Sequence, residues 1–160
     1  MKTQDAIDLE IRAGWKLQSL KEYQLYKLLK DTLFKTMEST KSNTYERYDC
    51  VIPGGVIELK CRRAHYSTLR IEKSKYDSII NNEKAYYICS TPNGIYAFDL
   101  KKLQPIWIET LNPQTTDFNR HKMVLKETYD IPVNKYNDIT SRIYKELIKT
   151  TELSKDNGTI

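Results

Sequence analysis

The sequence predicts an α/β protein, on three observations. Ser19 to Met37 carries apolar residues at helical spacing, Tyr48 to Lys60 reads as two short strands around a tight turn, and strand-like runs followed by a second amphipathic helix fill the C-terminal half. In order, residues 1 to 18 read as an N-terminal extension, helical around Ile7 to Trp15. The Ser19 to Met37 helix puts Leu25, Leu28, Leu29, Leu33 and Met37 on one stripe, and Ser19 with Glu22 has the spacing of a capping box. Ser39 to Asn43 is a polar loop, and strands are expected at Tyr45 to Ile52 and Val56 to Arg63. A connection containing Ser, Thr and His leads to a helix over Ser74 to Asn82, with Ser74 and Asp77 as its capping pair. Ala85 to Ser90 and Ile95 to Leu100 flank the turn Pro92-Asn93-Gly94. Ile106 to Thr110 is a short strand, Asn112 to Asn119 a turn-rich loop and His121 to Ile131 a further strand. Tyr136 to Lys149 closes the fold as a helix.

The chain has 160 residues, enough for one domain with its own core, taken as residues 1 to 150 with a polar, disordered tail over 151 to 160. Lys and Arg number 26 against 21 Asp and Glu, a net +5 that suits a polyanionic partner without requiring one. Cys50, Cys61 and Cys89 lack metal-ligand spacing and lie in apolar stretches, so they read as buried thiols of a reducing compartment. Neither a secretory signal nor a membrane span is legible, which makes a cytoplasmic location the expectation, the host cytoplasm if the Lys, Asn, Ile and Tyr richness reflects a viral source.

The turn at Pro53-Gly54-Gly55 organises the candidate chemistry. Strand side chains alternate faces, so Glu58 and Lys60 share one face while Ile57, Leu59 and Cys61 share the other. A Gly54-Gly55 loop sets Asp49 opposite Lys60, and a Pro53-Gly54 loop sets Asp49 opposite Glu58; both put the three charges on one face. Two carboxylates can hold a hard divalent cation beside a phosphate, with the lysine on the attacking water or the phosphate. The plain alternative is a solvated strand face with an ordinary cross-strand ion pair.

Asp49, the turn and Glu58-Leu59-Lys60 resemble the PD-(D/E)XK nuclease superfamily over roughly residues 19 to 110, with Tyr48 where the motif's proline stands. That resemblance implies a restriction-endonuclease-like αβββαβ core, a central mixed sheet flanked by helices. It implies that Asp49 and Glu58 bind Mg²⁺, that Mn²⁺ substitutes, that the Leu59 carbonyl is a further ligand, and that Lys60 acts on the water. Glu22 would then serve as the helix glutamate seen in similar resolvases, besides its capping role; Glu10 and Glu46 are weaker candidates. The expected substrate is DNA, cut by a small phage-type endonuclease that forms a homodimer if both strands are cleaved.

Arg62, Arg63, Arg70, Lys73 and Lys75 form a basic cluster after the motif, expected to contact phosphates. Lys75 leads because Lys75-Tyr76-Asp77 resembles a segment of similar phage nucleases. Tyr45, Tyr48, Tyr66 and Tyr76 flank the site and can stack on unpaired bases or cap a core edge. His65 and His121 are isolated, and no Ser-His-Asp set, phosphate loop or dinucleotide fingerprint is present. Two readings compete with the nuclease: a catalytically inactive nucleic-acid-binding or assembly protein on the same fold, and a structural interaction module.

Overall fold

The computed structural model describes residues 2–40, 50–103, 106–113 and 123–158. The elements are α1 (Gln4–Ala13), α2 (Glu22–Asp31), β1 (Glu38–Ser39), β2 (Cys50–Ile52), β3 (Gly55–Cys61), β4 (Thr68–Glu72), α3 (Lys73–Ile79), β5 (Lys84–Thr91), β6 (Gly94–Asp99), β7 (Ile106–Pro113), β8 (Met123–Pro132) and α4 (Thr140–Gly158). Short 3₁₀ turns occupy Leu17–Ser19 and Lys135–Asn137. The fold is α/β, with a five-stranded mixed sheet in the order β1-β2-β3-β5-β6 and a three-stranded antiparallel sheet in the order β4-β8-β7. Within the first sheet only β3 and β5 run parallel.

The first sheet is covered on both faces. One face carries Ile57, Leu59, Ile88 and Ile95, packed with Leu9 of α1, Leu25 and Leu29 of α2 and Ile143 of α4. α2, within the span read as a helix over Ser19 to Met37, thus docks its Leu25/Leu29 stripe on the Ile57/Leu59 face. The other face carries Val56, Tyr87, Cys89 and Phe98, packed with Leu69 and Ile71 of β4, Ile79 of α3 and Ile131 of β8. β5 is accordingly buried along nearly its whole length, as expected of a central strand covered twice.

Several elements differ from their sequence reading. α2 begins at Glu22 because Lys21 N–H donates to Gln24 Oε1 at 2.9 Å; Ser19 instead closes a 3₁₀ turn. It ends at Asp31, where Thr32 Oγ1 donates to the Leu28 carbonyl at 2.6 Å and competes with the helical ladder. Met37 still packs, fully buried, but from the turn beyond the helix. α3 begins at Lys73 with no side-chain cap, and Asp77 pairs with Lys73 at 2.6 Å, so Ser74 and Asp77 are no capping pair. The stretch read as a connection contains β4, whose Leu69 and Ile71 point inward while Arg70 and Glu72 are exposed. α4 continues to Gly158, so residues 151 to 158 extend the helix where a disordered tail is expected.

Candidate nucleic-acid site

The Pro53-Gly54 turn sets the register of the site. Ile52 pairs with Gly55 and Cys50 with Ile57, leaving Pro53 and Gly54 as the two-residue loop. Proline presets its own φ, and Gly54 adopts φ +79°, a value that favours glycine. This is the second of the two registers open from the sequence. Asp49, which directly precedes Cys50, lies outside the described residues, as do Tyr45, Glu46, Tyr48 and His121.

Glu58 sits in the middle of β3, opposite Tyr87 of β5, and is 2% exposed. The plain alternative of a solvated strand face is thereby excluded at Glu58. α3 and the second sheet roof this face, and a buried carboxylate needs partners to stay charged. One partner is Lys75 of α3, whose Nζ lies 3.0 Å from Glu58 Oε1. Lys75, read from the sequence as a phosphate contact on a separate helix, thus reaches the carboxylate itself.

Glu58 opens onto a cavity of about 340 Å³ between the two sheets. Its wall includes Lys60, two residues along β3 and half-buried, together with Arg62, Arg70, Lys75 and Lys126. Against these five cations stand two carboxylates, Glu58 and Glu72. Arg62 is held in place by its guanidinium, which donates to the Tyr87 hydroxyl at 3.2 Å and to the Arg70 carbonyl. Burial works against its charge, yet the Tyr87 hydroxyl keeps its pKa above the ordinary value. The Tyr87 hydroxyl in turn donates to the Arg70 carbonyl at 2.9 Å, and burial pushes the phenol far above its usual range. Arg70 is also paired across strands, Nε to Asp130 Oδ1 at 2.9 Å.

The remaining expected residues lie around this centre. Lys73 is half-buried and paired with Asp77, and Arg63 is exposed beyond β3. Glu22 stands at the first turn of α2, close enough to Cys61 to raise its pKa; burial is the larger cause and carries that thiol to about 11. Cys61 belongs to the α2-facing side of β3, opposite to Glu58, so Glu22 reaches the sheet on the other face. Tyr76 packs on Tyr129, with ring centroids 4.5 Å apart. His65 Nδ1 is 3.0 Å from Thr91 Oγ1.

Sequence reasoning missed Tyr87, Lys126 and Thr128. Lys126 and Thr128 are two apart on β8, so the alternation along that strand carried the signal, but only the tertiary fold brings β8 over β3. Among the described residues no group of three or more His, Cys, Asp or Glu side chains could hold a metal ion, and no helix is long and apolar enough to cross a membrane. The fold and site define an α/β protein with a cation-rich cavity built around one buried glutamate. Comparison with protein-family models, curated proteins and solved structures found no match.

Proposed function

We propose that the protein is a Mg²⁺-dependent endonuclease acting on phosphodiester bonds in DNA, on a variant of the restriction-endonuclease-like αβββαβ core. The observation that carries this reading is the buried Glu58 at a cavity lined mainly by cations, with Lys60 on the same strand face. A carboxylate kept out of water among lysines and arginines suits a hard cation and an anionic substrate together.

Glu58 would supply the hard oxygen that such a cation needs, and Asp49, the residue before Cys50 in sequence, would supply the second carboxylate. These two residues, with the Leu59 carbonyl, would hold Mg²⁺ or Mn²⁺, which offsets charge on the phosphate and lowers the pKa of bound water. Lys60 orients that water or the scissile phosphate. Arg62 and Lys126 hold the flanking phosphates. Arg63 and Lys73, both on the surface, extend the same electrostatic track. A two-fold dimer would carry two such sites.

A second reading is favoured by one observation. Lys75 already neutralises Glu58 at 3.0 Å, which serves a domain that binds nucleic acid without cleaving it. Incubation with plasmid, branched and single-stranded DNA in Mg²⁺, Mn²⁺ or EDTA decides between them. Metal-dependent cleavage is expected, and Lys60→Ala should lower it by roughly 10²–10³ while DNA affinity stays nearly intact. Millimolar Mg²⁺ should raise the melting temperature of the wild type but not of Asp49→Asn. DNA binding without cleavage, and a melting temperature indifferent to metal, select the binding-only reading.

A further inference from the structure

We propose that this site takes single-stranded nucleic acid, with one phosphate inside the cavity and a neighbouring base stacked on Tyr66. The inference rests on the nuclease reading and names the substrate class of the same site. The first argument is depth. Glu58 is 2% exposed, so a phosphodiester meets it only by entering the cavity between the sheets. A duplex is a stiff rod with a persistence length of about 50 nm, whereas a single strand can bend one phosphate inward. The second argument is unmet bonding. Thr128 lines the cavity and is 6% exposed, yet its Oγ1 has no hydrogen-bond partner among the described residues. Buried Nε of Arg62, on the same wall, also lacks one. A buried hydroxyl and a buried guanidinium N–H without partners, close to Lys60 and Lys126 on the same wall, suit phosphate oxygens as acceptors.

The third argument is continuity. A second recess of about 350 Å³, lined by Arg62, Tyr66, Thr68 and Arg70, shares both arginines with the first. Its Tyr66 is 58% exposed, a large aromatic left in water beside a cationic wall. Strands without a partner offer free base faces for such a ring, and paired bases do not.

Fluorescence anisotropy in EDTA tests the assignment with a short mixed-sequence single strand and its blunt duplex. The single strand should bind at least about tenfold tighter at equal salt, and Tyr66→Ala should weaken it by about tenfold. Tyr66→Phe should bind like the wild type, because the ring and not the hydroxyl stacks. Melting of each variant checks that the exposed substitution leaves the fold intact. Duplex binding as tight as single-strand binding, or an unaltered affinity in Tyr66→Ala, overturns the assignment. Cleavage with Mg²⁺ separates it from the reading beneath. Duplex cutting that ignores Tyr66→Ala removes the single-strand assignment and leaves the nuclease. Tyr66-dependent single-strand binding with no cleavage in Mg²⁺ or Mn²⁺ upholds the assignment and removes the nuclease.

Discussion

Glu10 shows how single residues here are held by charge. It is 7% exposed; Lys2 Nζ lies 2.7 Å from one carboxylate oxygen and Leu17 N–H donates to the other at 2.8 Å. Burial pushes its pKa up, but the Lys2 and Leu17 contacts outweigh burial and bring it below the ordinary 4.5. A carboxyl lowered by folding stabilises the native state above its unfolded pKa and loses that contribution as pH falls through the folded value. Glu10→Gln should therefore destabilise by about 1–2 kcal/mol at neutral pH, and the gap to wild type should close in urea melts below about pH 4. Nothing in the sequence marked Glu10 this way, because its partners lie eight residues before and seven after it and meet it only once α1 folds. Glu58 and Lys75 repeat the lesson across a longer span. Glu58 was legible as a strand carboxylate from the alternation along β3, but the lysine on it comes from α3, and no local periodicity links the two.

At the scale of elements, the β2–β3 hairpin was legible and β4 was not. Pro53-Gly54-Gly55 has turn chemistry that few other conformations accept, so the strand pairing could be narrowed to two registers from the residues alone. β4 spans only Thr68–Glu72, and with two apolar residues among charges it is too short for its alternation to stand out. The second sheet was missed with it, and so was the roof over Glu58. The two adjacent glycines make separate predictions. A Cβ at Gly54 meets only the end of the Glu83 side chain, so Gly54→Ala should cost about 1–2 kcal/mol from its positive φ. A Cβ at Gly55 runs into the Lys84 carbonyl, where the parallel pairing of β3 with β5 begins. Gly55→Ala should therefore cost more, about 2–3 kcal/mol in denaturant melts, by pushing the two strands apart.

Over the whole molecule, two apolar clusters share one sheet. Leu29 belongs to the cluster under the helices and Ile71 to the cluster under the second sheet, and both are buried. Because β3 and β5 contribute to both, the layers should unfold together. Leu29→Ala and Ile71→Ala should each lower stability by about 2–5 kcal/mol within one cooperative transition, seen as coincident far-ultraviolet dichroism and tyrosine fluorescence curves. Two separated transitions would show that the layers are independent. The parallel pairing of β3 with β5 has a consequence for biosynthesis. β3 closes its hairpin with β2 across two residues, but its other edge stays open until Lys84 and the residues after it exist. At about 5–20 residues per second on the ribosome, that edge waits on the order of seconds. Translational stalling between Cys61 and Lys84 would prolong exposure of an unpaired strand of the kind that seeds aggregation.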